Sequence, residues 1–189
     1  GKTLAFMMPM LYFILNKPRM TLEISKNGPY ALIMAPTREL AQQISDEFEK
    51  FTPHLGLNVL SIIGGVSIEE QGLKLNRVPH QIIIATPGRL MDCISSRYLV
   101  LNQCSYIVLD EADKMIAMGF EEQVNAILDM MVGGGTNEDL RSNDELFKNR
   151  SMKNDSRQTV MFSATMPMEG EHICRNYMKQ PAIVCIGEA

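Results

Sequence analysis

Three carboxylates stand together directly behind a short apolar run. Residues 106–109 read YIVL, and Asp110, Glu111 and Asp113 follow within the next four positions. If the run is a buried strand, its end carries adjacent anions that repel one another unless a cation is bound there. Magnesium, which prefers oxygen ligands, is the natural cation. For these residues taken alone, the alternative is the solvated start of an acidic helix.

A second group of residues suits the same chemistry. Gly1-Lys2-Thr3 matches the end of a phosphate-binding loop, in which Lys2 can reach the β- and γ-phosphates and the Thr3 hydroxyl can hold Mg²⁺. The helix predicted to start near Leu4 would direct the positive end of its dipole at the anion. Three residues recur by chance, but this triplet together with an acidic strand end about a hundred residues later indicates a nucleotide and magnesium site.

These groups need elements that hold them at one place. Strands are predicted for the apolar runs at 30–35, 59–63, 81–85, 106–109, 159–162 and 182–186, which are continuous and therefore typical of strands covered on both faces. Helical patterns lie between them, one starting behind Thr37 as N-cap and another ending near Val132. Strands that alternate with helices predict a parallel α/β sheet with helices on both faces. Ligands of such sheets bind at the carboxyl ends of the strands.

Composition narrows the class of protein. The 189 residues, 46% of them hydrophobic, suffice for one domain with one core, and we assign 1–189 to a single domain. The apolar run at 4–15 is shorter than a membrane span and contains Pro9, so no membrane is expected as a partner. A net charge of −4 gives no general attraction to nucleic acid, so any such binding must be local. The scattered cysteines indicate buried thiols rather than zinc ligands or disulfides.

An ordered set of motifs resembles the DEAD-box RNA helicases, specifically the first of their two RecA-like P-loop NTPase domains. The motifs are GKT at 1–3, PTRELA at 36–41, GG at 64–65, TPGR at 86–89, DEAD at 110–113 and SAT at 163–165. The resemblance implies an RNA-stimulated ATPase that uses ATP and Mg²⁺. It covers nearly the whole chain except residues 134–157.

The resemblance also implies roles for single residues. Gly1, Lys2 and Thr3 would bind the nucleotide, with Thr3 and Asp110 at the magnesium ion and Lys2, Asp110 and Glu111 as the catalytic set. Glu111 would orient and deprotonate the attacking water. Asp113, Ser163 and Thr165 would link the nucleotide state to the grip on RNA. An ordinary strand end remains the alternative for Ser-Ala-Thr.

Further motifs match the family's contacts to the RNA backbone. Hydroxyls, guanidinium groups and close-approaching backbone N–H groups bind phosphates without reading bases, so binding is expected to be independent of sequence. A common turn and a helix cap are the alternatives for these residues. The RNA-binding residues implied are Pro36, Thr37, Arg38, Gly65, Thr86, Pro87, Gly88 and Arg89.

Within the family the sequence resembles a spliceosomal branch that acts at the five-prime splice site. The runs NGPYALIMAPTRELAQQI and YIVLDEADKMIAMGFE carry this likeness, which implies a nuclear protein with spliceosomal proteins as partners. Residues 134–157 replace a short connection of most relatives, and their polar composition predicts a flexible, dispensable insertion. A binding function for that insertion is the alternative.

We expect the sequence to be part of a longer chain, since it opens with Gly1 inside the phosphate loop rather than with Met. The resemblance implies that the loop's first residues, the adenine-reading segment and a second RecA-like domain lie outside it. On its own the chain is therefore expected to be inactive. Two other classes of protein stay open: a motor of another helicase group, such as a DNA translocase, and a non-catalytic RNA-binding scaffold.

Overall fold

The computed structural model of the chain describes residues 2–131 and 157–186. Short strands alternate with helices along this part of the chain. The strands are β1 (Ala31–Met34), β2 (Val59–Ile62), β3 (Ile82–Ala85), β4 (Tyr106–Leu109) and β5 (Gln158–Met161). The helices are α1 (Lys2–Leu15), α2 (Leu22–Ser25), α3 (Arg38–Glu49), α4 (Ile68–Arg77), α5 (Pro87–Ser95), α6 (Ala112–Ala117), α7 (Glu121–Met130) and α8 (Met168–Tyr177).

The five strands form one parallel sheet in the order β2-β3-β1-β4-β5. The register aligns their last residues, because Met34 of β1 pairs with Ala85 of β3 on one side and with Leu109 of β4 on the other. The residues that follow the strands therefore lie in a row at one edge of the sheet. That row holds most of the residues predicted to do chemistry.

Helices cover both faces of the sheet, as predicted. Alternate residues of each strand enter opposite cores, because successive side chains of a strand point to opposite faces. Ile33 packs with the buried residues of α1 and α3, whereas Leu32 packs with those of α5, α7 and α8. Every residue of β1, β3 and β4 is buried, while the edge strands β2 and β5 are only partly buried. The predicted fold class is confirmed.

The helix starts follow local chemistry. Thr37 is the N-cap of α3, as predicted, and its hydroxyl oxygen accepts a hydrogen bond from the backbone N–H of Leu40 at 3.2 Å. This bond satisfies one of the donors that a helix start leaves open. The first helix begins at Lys2, two residues before the predicted start, and the helix predicted to end near Val132 ends at Met130.

The strand predicted at 182–186 is wrong. These residues have no regular structure, and Ile183, Val184 and Ile186 expose 82%, 79% and 96% of their surface. A β-branched run becomes a strand only if a neighbouring strand takes up its backbone hydrogen bonds. None of the five described strands pairs with this segment, and the sequence pattern contains no information about that neighbour.

The predicted insertion at 134–157 lies outside the described residues except for Arg157, so its flexibility stays a prediction. In the described part of the chain, no helix is long and apolar enough to cross a membrane. The prediction of buried thiols is confirmed for Cys93 and Cys104, where burial raises the pKa to about 11 and about 12. It is wrong for Cys185, which is exposed, and Cys174 is half-buried.

Candidate nucleotide and RNA site

The buried carboxylate of Asp110 begins the row behind the strands. Its backbone N–H donates to the carbonyl of Met34 at 2.9 Å, which extends the β4–β1 pairing by one residue. The residue is only 4% exposed, and its Oδ1 has no hydrogen-bond partner among the described residues. Burial raises the pKa of this carboxyl, against the opposing charge of Lys2. A buried, unpartnered carboxylate oxygen suits a bound cation, because leaving it unsatisfied costs free energy.

Glu111 has an unusual backbone conformation. It has φ 53° and ψ 51°, in the left-handed region, and stands immediately before α6. This region costs a residue with a Cβ atom roughly 1–2 kcal/mol, so the surrounding structure must impose it. The side chain stays 25% exposed, and its Oε2 lies 2.8 Å from Nζ of Lys114. The left-handed turn thus leaves a carboxylate within reach of solvent beside the buried Asp110.

Lys2 and Thr3 lie in the first turn of α1. Lys2 is exposed, yet close enough to Asp110 for its charge to oppose the rise in pKa that burial causes in that carboxyl. Gly1 lies outside the described residues. The residues here fit a magnesium ion, since Mg²⁺ uses one or two carboxylates and obtains its other ligands from water and phosphate oxygens. Asp110 and Thr3 are the residues that would hold it.

Asp113, Ser163 and Thr165, for which a coupling role is predicted, form one hydrogen-bond cluster. Oδ2 of Asp113 accepts from the backbone N–H of Thr165 at 3.1 Å and from its hydroxyl at 3.0 Å. The N–H of Asp113 donates to Oγ of Ser163 at 3.2 Å. Burial raises the pKa of Asp113, but the hydrogen bonds from Thr165, Lys114 and Ser163 together leave it below its ordinary value. The ionised carboxylate therefore connects the start of α6 to the loop after β5.

A surface that contains Arg38 and Gly65 lies at the other half of the row. Gly65, in the loop after β2, has φ +92°, which favours glycine. A Cβ atom on Gly65 would lie 2.6 Å from Nη1 of Arg38, so the guanidinium group rests against the glycine backbone. Arg38 is exposed, Pro36 is buried, and Thr37 lies between them with its oxygen engaged in the α3 cap.

TPGR forms the start of α5, next to this surface. Thr86 is 8% exposed, Pro87 is buried at the first turn of the helix, and Gly88 is half-buried. Nη1 of Arg89 donates to the carbonyl of Val66 at 2.5 Å and lies 3.2 Å from Oε1 of Gln71. One nitrogen of this guanidinium group is thus engaged by the protein, and the RNA contact predicted for Arg89 stays a prediction.

The structure brings the predicted residues to one edge and divides them between its halves. The acidic residues follow β4, and the residues predicted to bind phosphate start α1, whereas the glycine and arginine residues follow β1, β2 and β3. Neighbouring strands lie about 4.8 Å apart, so the two halves are roughly 10 Å from centre to centre. Such a distance allows two ligands to bind side by side.

Gln71 and Arg157 make several polar contacts that the sequence motifs do not predict. Gln71 is a buried glutamine on α4, and Arg157 donates to Leu128 O at 2.7 Å, to Tyr177 O at 2.9 Å and to Thr159 Oγ1 at 3.1 Å. A signal existed for Gln71, because it lies at helical spacing from the apolar Ile68 and therefore on the face that α4 buries. No pattern singles out Arg157.

Comparison with known proteins supplies the family. The DEAD/DEAH box helicase profile matches residues 1–173. DEAD-box ATP-dependent RNA helicase 21 of rice is 52% identical over 189 residues, which are 100% of this chain and 25% of that protein. Pre-mRNA-splicing ATP-dependent RNA helicase prp28 of Aspergillus clavatus is 55% identical over 192 residues, 100% of this chain and 24% of that protein. The chain thus spans about a quarter of these relatives.

Solved structures agree with the sequence relatives. The yeast DEAD-box splicing factor Prp28 superposes with a TM-score of 0.81 at 40% identity, covering 96% of this chain and 38% of that one. The RNA helicase Prp28 of Chaetomium thermophilum, crystallised with ADP, gives a TM-score of 0.76 at 46% identity and covers 100% of this chain and 39% of that one. With its carboxylates, glycines and arginines on one edge of a parallel sheet, this chain belongs to the DEAD/DEAH box helicase family.

Proposed function

We propose that the chain is the first RecA-like domain of an ATP-dependent RNA helicase that acts in pre-mRNA splicing. Its cofactors would be ATP and Mg²⁺, and its partners the RNA backbone and a second RecA-like domain of the same protein. The observation that carries the proposal is the pair Asp110 and Glu111: a buried carboxylate with an unpartnered oxygen beside an accessible one on a left-handed turn.

The chemistry assigned to this pair is in-line attack of water on the γ-phosphate. Lys2 would neutralise phosphate charge, and Thr3 and Asp110 would hold the magnesium ion, which supplies further charge stabilisation when bound. Glu111 would accept the proton of the attacking water. Its Oε2 lies 2.8 Å from Nζ of Lys114, which holds the carboxylate at the start of α6. Positioned general-base catalysis contributes about 10²–10⁴-fold to the rate.

RNA would bind along the other half of the edge. Arg38 offers an exposed guanidinium group, Gly65 allows close approach of its backbone N–H, and α5 directs its N-terminus at the same side. These groups recognise phosphate and not base edges. RNA of any sequence is therefore expected to bind. Because the overall charge of −4 gives no general attraction to RNA, binding depends on these local groups.

Coupling between the two ligands is assigned to Asp113, Ser163 and Thr165. Their hydrogen bonds join α6, which directly follows the catalytic carboxylates, to the loop after β5. A shift of Glu111 on ATP binding or hydrolysis would thus move this loop as well. Coupling of this kind needs an element that both ligands bias.

The test is ATP hydrolysis by the full-length protein that contains this chain, measured with Mg²⁺ and with RNA or DNA added. RNA of arbitrary sequence should stimulate turnover, and DNA of the same length should do so much less. Equal stimulation by DNA would favour a DNA translocase. No turnover under any condition would favour the non-catalytic RNA-binding scaffold. The sequence argues against that alternative, because a scaffold would not need Lys2, Thr3, Asp110 and Glu111.

The splicing role draws its support from the names of the similar proteins, two of which are called splicing helicase or splicing factor. A nuclear location and spliceosomal protein partners follow from that role. Depleting the full-length protein from a nuclear splicing extract should block splicing, and adding back the wild type, but not its Glu111→Gln variant, should restore it. Unchanged splicing after depletion would contradict the role.

A further inference from the structure

We propose that Gln71 is a positioning residue that fixes the glycine loop, residues 63–66, in the form that receives RNA. The inference rests on the proposed function, because it assigns a role within the same RNA surface. Gln71 itself is only 2% exposed and cannot touch RNA. It would act through the loop and through Arg89.

Both polar atoms of the Gln71 amide are used. Its Nε2 donates to the carbonyl of Ile63 at 2.7 Å, and its Oε1 accepts from Nη1 of Arg89 at 3.2 Å. The Sγ of Cys93 lies 4.0 Å from the same oxygen, as a weak third contact. A single buried side chain therefore ties the loop after β2 to the first turn of α5. These are two of the segments that carry the proposed RNA contacts.

Arg89 closes the connection from its own side. Its Nη1 donates to the carbonyl of Val66 at 2.5 Å and approaches that of Ile63 at 3.4 Å. The loop is thus held near its first residue by Gln71 and at its last residue by Arg89. Gly65, held between these points, has the φ of +92° that brings its backbone against Arg38. Loss of the amide would leave the Ile63 carbonyl with only the longer contact to Arg89 and would deprive Arg89 of an acceptor.

Glutamine is the side chain that these partners require. The Ile63 carbonyl needs a donor and the Arg89 guanidinium group needs an acceptor, at the two ends of one amide. A glutamate has the same size, but it would set a carboxylate oxygen against the Ile63 carbonyl and hold Arg89 by charge. A methionine fills the same space with no polar atom that could replace the amide.

The packing of α4 does not depend on these hydrogen bonds. Gly72, the next residue, lies directly under the ring of Tyr98, where a Cβ atom would come within 2.3 Å of the ring. Ile68 and Leu75 of the same helix pack against the core. We therefore expect Gln71→Met to leave α4 in place and to loosen the loop. The effect should fall on RNA binding and not on chemistry.

The experiment uses the full-length protein and a single-stranded poly(U) RNA, titrated in the ATPase assay. Gln71→Met should raise the half-saturating RNA concentration about five- to tenfold, the factor expected for the loss of a hydrogen bond that holds the loop, while kcat at saturating RNA and the KM for ATP stay unchanged. Gln103→Met is the matched control. Its amide donates to the carbonyls of Ile24 at 2.8 Å and Gly28 at 2.5 Å. Gln103 precedes β4 and therefore lies at the amino ends of the strands, away from the RNA surface.

The outcomes separate this inference from the proposed function. If RNA does not stimulate the wild type, the proposed function fails and the role of Gln71 fails with it. If RNA stimulates the wild type but the half-saturating RNA concentration of Gln71→Met equals that of Gln103→Met, the proposed function stands and the positioning role is overturned. Should Gln71→Met not fold, Gln71→Glu replaces it, and an unchanged RNA half-saturation in that variant overturns the role equally.

Discussion

Replacing Thr165 by valine removes one hydrogen bond from the coupling cluster and keeps the shape of the side chain. The lost bond is that from the Thr165 hydroxyl to Oδ2 of Asp113, 3.0 Å long. The backbone N–H of Thr165 keeps its own bond to the same oxygen at 3.1 Å. The substitution therefore measures a single contact. Thr165→Ser, which keeps the hydroxyl, is the control.

The size of the effect follows from the charge and the exposure of the pair. A hydrogen bond to an ionised group contributes about 1.5–3 kcal/mol, but exposed charged pairs are screened to about 0.2–1 kcal/mol. Thr165 is exposed and Asp113 is half-buried, so we expect a loss of about 0.5–1 kcal/mol. With a urea m-value of about 2 kcal/mol/M, the unfolding midpoint of the 189-residue chain should fall by about 0.3–0.5 M.

The effect should depend on pH in one direction. The net pKa of Asp113 is lowered in the folded chain, so its hydrogen bonds contribute stability above the unfolded pKa, near 4, and this contribution is lost as the pH falls through the folded pKa. Thr165→Val should thus be destabilising at pH 7, and its effect should diminish as the pH falls below the unfolded pKa and through the folded pKa of Asp113. Asp113→Asn mimics the uncharged carboxyl at pH 7. In that background Thr165→Val should lower the free energy of unfolding by less than it does with Asp113 present.

Two results would contradict a coupling between the Thr165 hydroxyl and Asp113. If Thr165→Ser destabilises the chain as much as Thr165→Val, the hydroxyl is not the group that matters. If the effect of Thr165→Val is the same with Asp113 and with Asn at that position, the two side chains are not coupled.

Three further substitutions address other parts of the site and the fold. Gly65→Ala should lower the free energy of unfolding by about 1–2 kcal/mol because of its positive φ, and it should also raise the half-saturating RNA concentration. The control Gly56→Ala, at φ +66° with open space around it, should lower stability alone. Equal half-saturating RNA concentrations in the two variants would contradict a role of Gly65 in RNA binding. Asp110→Asn should raise the metal-free Tm, because it removes a buried charge, and should abolish Mg²⁺-dependent nucleotide binding. A lowered Tm would contradict the inference that burial of this charge costs stability. Arg157→Met should cost about 3 kcal/mol in urea unfolding because three hydrogen bonds are lost, and a loss below about 1 kcal/mol would show that they contribute little.

The sequence predicts the elements whose causes are local. Continuous apolar runs identify the five strands to within about one residue at either end, and Thr37 identifies the start of α3. The run at 182–186 has the same composition without forming a strand, because pairing depends on a neighbour that the run does not specify. Strand order is not local either, and only the parallel fold class, not the order β2-β3-β1-β4-β5, follows from the alternation of elements.

In the candidate site, too, the sequence predicts the local features and not those that depend on tertiary packing. The residue types of Asp110 and Lys2 predict their chemistry. The exposure of these two side chains and the charges around them are set by tertiary packing. The left-handed turn of Glu111 contradicts the preference of a glutamate and cannot be read from the sequence. Gln71 and Arg89 satisfy each other across 18 residues, and that pairing emerges only when α4 and α5 are packed.

The proposed function depends above all on Glu111 acting as the base of an RNA-stimulated ATPase. Single-turnover ATP hydrolysis with saturating RNA is compared between the full-length wild type and its Glu111→Gln variant, with the nucleotide Kd measured in parallel. Glutamine keeps the size of the side chain and removes the base, so turnover should fall about 10²-fold or more while the Kd for ATP stays nearly the same. Unchanged turnover in the variant would contradict the role of Glu111.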